Sequence, residues 1–433
     1  MSLVVVALAA LLFLAAFVIA LIFALANRLE KCSDERTLPR WPAASISALG
    51  EYTRAAVAAD HEYCSQIARC VTRQTGKQCQ QHQTLFSLAT RAVHNLASAS
   101  DAVEYFYNSS QTKSFVKEIR DGGGIITEED MRTYKSIIRT ENETVYVDLA
   151  GNLRGCGPPP PSSAATALSL VNIMMGFDFE ANGGFKTVAS NVDFYHKLIE
   201  AMKFVYGDRS RMGDLQFVNG SLHIAQNITT GEYATWIRSM IKPEAQPFDY
   251  YGADFAVRPD HGTTHFSVLD ELGNAVSTTG TVNLQLGCKR MSQSAGIIWN
   301  NEMDDFSSPN ATNYFGFPPS KENYIEPGKR PQSSMSPIVI FDNKTGDVRL
   351  VVGAAGGSRI ISSTAYVAYE NGFPQVFLDG LRARGQNMSE HQHGILSVTQ
   401  GIHVRCDVSN SNCSRIYANS DFRKGPNSAP AGF

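Results

Sequence analysis

Residues 260–276, DHGTTHFSVLDELGNAV, place two threonines behind a glycine at the start of an alternating run, and this stretch decides the fold. The letters THFSVL alternate as a half-buried strand does, DELGN is typical of a turn, and AVSTTGTVN is typical of a returning strand. The pattern predicts a β-hairpin. Because threonine is an ordinary strand residue, the local pattern alone gives Thr263 only a structural role.

Composition and charge limit which classes of protein and partner are expected. The chain has 433 residues, 43% of them hydrophobic, which is enough for one large domain or two to three ordinary ones. A net charge of -3 gives no general attraction to phosphate backbones, so nucleic acid is not an expected partner. The histidines and cysteines lack the spacing of a zinc site. We therefore expect no metal and no other cofactor.

The amino-terminal segment is apolar enough to be a membrane anchor. Residues 3–26 carry no charge, and about 20 such residues cross a bilayer as a helix. This run is longer than the apolar region of a cleavable signal peptide, so we expect an uncleaved anchor. Eight glycosylation sequons follow, at Asn108, Asn142, Asn219, Asn227, Asn310, Asn343, Asn387 and Asn412. They favour a type II plasma-membrane protein with an extracellular body over the opposite orientation, which the cationic residues behind the anchor would indicate.

The first half of the body is predicted to be mainly helical. Small and apolar residues at three- and four-residue spacing predict a helix over 52–73, and a second helical region is predicted over 85–107. The glycine run 122–124 lacks the lysine of a phosphate-binding loop. Thr127, which is followed by acidic residues, is typical of a helix N-cap.

The later part changes from helix to sheet. An apolar helix is predicted behind the prolines 158–161, and another places Phe194 and Val205 on one side with His196 as a packed histidine. Residues 336–357, SPIVIFDNKTGDVRLVVGAAGG, are typical of a second hairpin because two apolar runs flank the turn DNKTGD.

Several separated blocks together resemble the γ-glutamyltranspeptidases (glutathione hydrolases), which are N-terminal nucleophile hydrolases. The blocks are EYTRAAVAAD (51–60), FYHKLIEAMKFVYGDR (194–209), GTTHFSV (262–268), TVN (281–283), GIIWNNEMDDFSSP (296–309), PGKRPQSSMSP (327–337), VVGAAGG (351–357) and the terminal APAGF. Their order and spacing match the family over nearly all of the chain behind the expected anchor. The resemblance implies an α+β fold, a four-layer αββα sandwich.

The resemblance explains why a threonine follows the glycine. A hydroxyl becomes a good nucleophile only when a base takes its proton, and a chain-terminal amine with a pKa of about 8 can be that base. The family implies that the Thr263 hydroxyl first cuts the chain behind Gly262. The expected parts are an anchor (1–27), a linker (28–50), a large fragment (51–262) and a small fragment (263–433) that pair as a heterodimer.

The implied reaction is the cleavage of γ-glutamyl bonds. Thr263 would attack the γ-amide of glutathione or another γ-glutamyl compound, and water, an amino acid or a dipeptide would then take the acyl group. The resemblance implies that Thr281 supports the nucleophile. It also implies that the pair Gly356 and Gly357 forms the oxyanion hole, since glycine allows close backbone approach.

The resemblance also implies which residues bind the glutamyl group. Glu302 and Asp305 fall on the positions that bind the α-ammonium, with Asn283 assisting. Ser333 and Ser334 fall on the positions that donate to the α-carboxylate. Without the other blocks, NNEMDDFSSP would be interpreted as a polar loop with an Asx-type turn.

Two stretches of the family pattern are missing. Behind CSQIARCV (64–71) the family continues into GGSAVDAA and an A-R-E motif whose arginine pairs with the substrate α-carboxylate, whereas this chain runs through TRQTGKQCQQHQ. A smaller gap lies around 361–382. Loss of the arginine predicts weaker substrate binding, and lost strands would expose sheet edges.

Three functional hypotheses follow. The leading one is a membrane-anchored γ-glutamyl hydrolase and transferase. The second is a non-catalytic, glycosylated ectodomain of the same fold, which the missing arginine favours. The third is an acylase with an uncharged acyl donor, which explains the lost arginine but not the retained Glu302 and Asp305.

Overall fold

The structure is a computed structural model that describes most of the chain behind the expected linker. The described residues are 38–39, 49–62, 64–66, 87–181, 184–252, 262–309, 319–356, 367–369, 372–390, 397–406, 413–421, 423 and 428–433. None of the helices in these ranges is long and apolar enough to span a bilayer. The apolar run 3–26 lies outside the described residues.

The strands form two main antiparallel sheets. They are β1 Gly50–Tyr52, β2 Ala56–Ala59, β3 Val145–Leu149, β4 Leu153–Gly157, β5 Thr263–Leu269, β6 Ala275–Thr281, β7 Ile338–Asp342, β8 Val348–Ala355, β9 Val367–Tyr369, β10 Met388–Glu390, β11 Val398–Cys406, β12 Cys413–Ser420 and β13 Ala431–Gly432. Within the described residues, one sheet has seven strands in the order β1-β12-β11-β8-β7-β4-β3. The other has four, in the order β13-β2-β5-β6. A separate parallel pair joins β9 and β10.

The two sheets lie face to face, with β5 and β6 against β8 and with β2 against β11 and β12. The apolar side chains between them come from both sheets: Ala56, Ala58 and Leu269 from the smaller, and Val351, Ile402, Val404, Ile416 and Ala418 from the larger. Burial of these side chains removes apolar surface from water and holds the strand that begins at Thr263 against the larger sheet.

Helices cover the β3–β4 end of the larger sheet. The helices are α1 Ser87–Ser98, α2 Ala102–Tyr107, α3 Ser110–Asp121, α4 Glu128–Thr133, α5 Ala164–Met175, α6 Val188–Arg209, α7 Ser221–Ile228, α8 Gly231–Met240 and α9 Gln375–Ala383. Helix α5 packs on β3, β4 and α6. Leu168 and Ile173 of α5 share one core with Val145 of β3 and Phe204 of α6.

The helix predicted over 52–73 is wrong in its first part. Tyr52 ends β1, and residues 56–59, AVAA, form β2 with every residue at most 1% exposed. A short run of small apolar residues is compatible both with a helix and with a strand that is buried on both faces. Its periodicity therefore does not distinguish a helix from a strand. Residues 56–59 form a strand because they pair with β5 and β13, which are both far away in the chain.

Most other local predictions are confirmed. The helical region 85–107 is present as α1 and α2, with Asp101 capping α2 through its carboxylate. Thr127 caps α4 in a capping box, and both predicted hairpins form, as β5–β6 and β7–β8. His196 is a packed histidine, 1% exposed, whose Nε2 bonds the Lys242 carbonyl at 2.8 Å.

We expect Gly353→Ala to destabilise the fold by about 1–3 kcal/mol, as overpacking of a close-packed interior does. A β-carbon at Gly353 on β8 would lie 2.2 Å from the ring of His265 on β5. Gly401→Ala on the neighbouring β11 is the matched control, because its β-carbon would meet its nearest neighbours at 3.8 Å. Urea unfolding would measure both variants. Equal stability of the two would contradict the close contact between the sheets.

Candidate functional site

Thr263 and Thr281 face each other at the open end of the β5–β6 hairpin. Thr263 is the first residue of β5 and pairs in register with Thr281, the last residue of β6. The Thr263 hydroxyl donates to Thr281 Oγ1 at 3.2 Å, and that oxygen also accepts the backbone N–H of Asn283 at 2.9 Å. The two bonds at one oxygen orient the Thr263 hydroxyl.

The chain passes Gly262 too closely for any other residue. A β-carbon there would lie 2.0 Å from the Leu284 carbonyl oxygen. The Gly262 carbonyl accepts the N–H of Val282 at 2.9 Å. The missing side chain of Gly262 therefore makes room for the neighbouring backbone.

Asn283 connects the threonine pair to the loop that carries the predicted acidic residues. It has a φ of 66°, which is uncommon for a residue other than glycine. Its side chain is 1% exposed and donates to the Asn301 carbonyl at 3.1 Å. In the described part of the chain, Asn283 Oδ1 has no hydrogen-bond partner. A buried acceptor without a partner is unfavourable and suits a ligand that donates.

Glu302 and Asp305 lie on one 3₁₀ turn, Glu302–Asp305, directly behind Asn301. Both are half-buried. The Glu302 N–H donates to Asn300 Oδ1 at 3.0 Å, which is the Asx-type turn that the alternative interpretation of this loop expected. The Asp305 carbonyl accepts the Asn323 amide at 2.7 Å. The turn therefore carries two acidic residues directly behind the Asn301 carbonyl that Asn283 binds.

Ser333 and Ser334 lie beside the turn that precedes α5 and the end of α6. The Ser333 N–H donates to the Pro161 carbonyl at 2.9 Å, and the Ser333 carbonyl accepts the Ser163 hydroxyl at 2.6 Å. Ser334 Oγ accepts from Arg209 at 3.4 Å, and Arg209 also donates to Ser163 at 2.7 Å. These hydrogen bonds connect the serines to α5 and α6.

Strands β7 and β8 link two predicted parts of the site to the β5–β6 hairpin. These parts are the serine segment, residues 333–335, and the glycine pair, residues 356–357. The N–H of Ile338, which begins β7, donates to Ser277 on β6 at 3.1 Å. The Ser277 hydroxyl donates to the Val352 carbonyl on β8 at 2.9 Å. Gly356 follows β8 with a φ of 136°, a conformation that favours glycine. Gly357 lies outside the described residues.

Sequence reasoning missed His265, two residues behind Thr263. Its ring is fully buried, with Nδ1 bonded to Thr279 at 2.7 Å and Nε2 bonded to Ser267 at 3.1 Å. Burial lowers the pKa of His265 to about 4. The neutral ring therefore fills a polar seam between the two sheets, where Ser267 also donates to the Gln400 carbonyl at 3.2 Å.

Sequence reasoning also gave no role to Arg209 and Ser163. The available signal was the charged residue at the end of the block FYHKLIEAMKFVYGDR, but its serine partners are distant in sequence. No group of three or more His, Cys, Asp or Glu side chains in the described ranges could hold a metal ion.

Comparison with known proteins identifies related sequences. The family profile described as γ-glutamyltranspeptidase matches residues 72–368. The chain is 38% identical over 269 residues to Scoloptoxin SSD14 of Scolopendra dehaani, covering 62% of this chain and 45% of the toxin. It is 38% identical over 275 residues to Glutathione hydrolase 2 of Arabidopsis thaliana, covering 62% and 45%. The chain thus spans less than half the length of the curated relatives it matches.

The fold has solved counterparts. The crystal structure of cephalosporin acylase from Bacillus halodurans matches with a TM-score of 0.61, covering 86% of this chain and 71% of the acylase. The sequences are 19% identical, so the likeness concerns the fold alone. This chain therefore shares its mixed α/β architecture with the acylase.

The buried His265 predicts a loss of stability in mild acid. An unfolded histidine has a pKa of about 6.5, so between about pH 6.5 and about pH 4 the unfolded state binds a proton that the folded state does not. Stability therefore falls as pH falls through this window. We expect the free energy of unfolding of the wild type to drop about 2 kcal/mol more between pH 7 and pH 4.5 than that of His265→Gln. Urea unfolding at both pH values measures the difference, and equal losses would contradict the buried neutral ring.

Proposed function

Because the chain belongs to the γ-glutamyltranspeptidase family, we propose that it is a γ-glutamyl hydrolase and transferase that acts on glutathione and its conjugates. One observation carries this proposal. The Thr263 hydroxyl, at the start of a strand and directly behind a glycine that no other residue could replace, is oriented by Thr281 at 3.2 Å. That arrangement fits a threonine that acts first on its own chain and then on a substrate.

In the proposed maturation, Thr263 Oγ1 attacks the Gly262 carbonyl carbon, the peptide C–N bond breaks as the hydroxyl proton passes to the departing nitrogen, and an ester forms. Water then hydrolyses the ester, which leaves a carboxylate on Gly262 and a free amine on Thr263. The Val282 N–H, 2.9 Å from the Gly262 carbonyl oxygen, supports this step because it can stabilise the negative charge that develops there. The products are the two fragments that end at 262 and begin at 263.

In the proposed catalytic cycle, the new Thr263 amine takes the proton from Oγ1, which attacks the γ-carbonyl of the substrate. The amine of the leaving group departs with a proton, and the γ-glutamyl group stays on Oγ1 as an ester. Water then releases glutamate, or the amine of an amino acid or dipeptide takes the γ-glutamyl group. We assign oxyanion stabilisation to the backbone N–H groups of Gly356 and Gly357.

Charge and hydrogen-bond capacity support the proposed substrate contacts. The α-ammonium of the glutamyl group would donate to Asn283 Oδ1 and bind Glu302 and Asp305. The Asn283 oxygen is a buried acceptor without a described partner, which a cation would satisfy. Ser333 and Ser334 would donate to the α-carboxylate.

We also propose the complete αββα sandwich for the fold. The described elements support it with one helical layer and two stacked sheets. The alternative function remains a catalytically inactive ectodomain of this fold, and the observation in its favour is the missing arginine motif behind residue 71.

We expect Thr263→Ala to abolish both self-cleavage and turnover, because the alanine has no nucleophile. A reducing gel of the deglycosylated protein should show two fragments for wild type, with the smaller beginning TTHFSV, and one uncut chain for the variant.

Thr281→Ala should reduce activity about 10-fold or more through the lost orientation of the nucleophile. Thr278→Ala is the matched control, because Thr278 is exposed and lies on the other face of β6.

Anilide substrates, which release a chromophore when the acyl bond is cleaved, distinguish the three functional hypotheses. Release of the chromophore from a γ-glutamyl anilide by wild type, but not by Thr263→Ala, supports the proposal. An uncut wild-type chain without turnover would support the inactive ectodomain. Faster release from a glutaryl anilide, which lacks the α-ammonium, would support the acylase hypothesis.

We further propose that the body is an extracellular, glycosylated domain behind an uncleaved anchor at the plasma membrane. The six sequon asparagines among the described residues are all exposed, which supports this: Asn108, Asn142, Asn219, Asn227, Asn343 and Asn387. We expect enzymatic removal of N-glycans to lower the apparent mass of the protein from a secretory host, and a combined replacement of the six by glutamine to remove most of that shift. An unchanged mass would contradict the location.

A further inference from the structure

We infer that Arg209 is a positioning residue for the substrate α-carboxylate, acting through Ser163 and the serine pair. This inference rests on the proposed function, and it concerns the part of the site where the arginine motif of the family is missing. Arg209 is the last residue of α6 and is 3% exposed, so its guanidinium is held inside the protein.

The end of α6 is fixed in place by its own contacts. Residues 206–209 are all buried. The Asp208 carboxylate accepts from the Tyr233 hydroxyl of α8 and from Arg211. The Gln332 amide donates to the Arg209 carbonyl at 2.8 Å, which ties the residue directly before the serine pair to the same helix end.

Arg209 controls the backbone of the serine segment through Ser163. The guanidinium Nε donates to Ser163 Oγ at 2.7 Å. The single hydroxyl hydrogen of Ser163 is then donated to the Ser333 carbonyl at 2.6 Å. The N–H of Ser163 also donates to the Met335 carbonyl at 3.0 Å. This chain of bonds begins at a charged donor, and charge-assisted hydrogen bonds are the stronger kind.

Arg209 also sets the direction in which Ser334 can donate. Ser334 Oγ accepts from the guanidinium at 3.4 Å, a long hydrogen bond. Because a guanidinium has donors and no acceptor, the hydroxyl hydrogen of Ser334 must go elsewhere. Ser333 Oγ likewise accepts the N–H of Met335 at 3.3 Å. Each serine therefore keeps its hydroxyl hydrogen for another acceptor, and a carboxylate offers two oxygens to neighbouring donors.

The test separates loss of carboxylate recognition from general damage. The substrates are a γ-glutamyl anilide and a 4-aminobutyryl anilide, which has the same amine and acyl group but lacks the α-carboxylate. We expect Arg209→Gln to lower kcat/KM for the γ-glutamyl anilide about 10-fold or more, mainly through KM, and to change the other substrate by no more than about 2-fold. Arg209→Lys should restore only part of the loss, because lysine cannot donate to both serines in the same geometry.

A second variant tests the same inference in case Arg209→Gln fails to fold. Ser163→Ala removes the link between Arg209 and Ser333 while the guanidinium stays in place, and it should show the same selective loss. Ser169→Ala is its matched control, since Ser169 lies on α5, the helix that Ser163 directly precedes, is similarly buried and has no hydrogen bond to the serine segment in the described structure. Arg238→Gln is the control for Arg209→Gln, because Arg238 donates to carbonyls of α5.

Calorimetry with L-glutamate, glutarate and 4-aminobutyrate gives the binding side of the test. We expect Arg209→Gln and Ser163→Ala to weaken the two ligands with the relevant carboxylate and to leave 4-aminobutyrate unchanged. An equal effect on all three ligands, or none, would overturn the inference while wild-type turnover upholds the proposed function. A wild type that neither binds L-glutamate nor cleaves the γ-glutamyl anilide would overturn both.

Discussion

The strand that begins at Thr263 is the element on which the rest of the structure depends. β5 is paired on one side with β2 and on the other with β6, and one of its faces lies against the larger sheet. A strand with neighbours on both edges and on one face has little freedom to move. The hydroxyl at its first residue is therefore held by the whole core, and not by a surface loop. Functional groups on such rigid elements keep their geometry better than groups on mobile segments.

The contact between the sheets is polar as well as apolar. Beside the apolar cluster lies a row of hydrogen-bonded side chains, His265, Thr279, Ser267 and Ser277, and two of its serines donate to carbonyls of the larger sheet. An apolar contact allows small sliding displacements, whereas hydrogen bonds fix direction and register. The row thus defines how β5 and β6 sit on β8 and β11, and with them the positions of Thr263 and Thr281.

The sequence predicted what is local and missed what joins distant segments. Alternation was sufficient for the β5–β6 and β7–β8 hairpins, and a threonine followed by acids was sufficient for the cap at Thr127. The run AVAA was predicted as helix because its small residues carry no periodicity that separates a helix from a fully buried strand, and its partners lie far along the chain. Arg209 had no predicted role for the same reason, since Ser334 lies 125 residues away. The resemblance supplied the site residues, and the structure supplied their contacts.

The order of the strands has a consequence for a chain that is cut behind Gly262. In the larger sheet, strands β12, β11, β8 and β7 come after the cut and are flanked by β1 on one edge and by β4 and β3 on the other, all from before it. In the smaller sheet, β2 lies between β13 and β5. The two pieces of a cut chain could separate only if both sheets came apart. Reassembly would then be a slow encounter of two unfolded chains, so the lifetime of the mature protein would be set by the height of its unfolding barrier and not by an equilibrium.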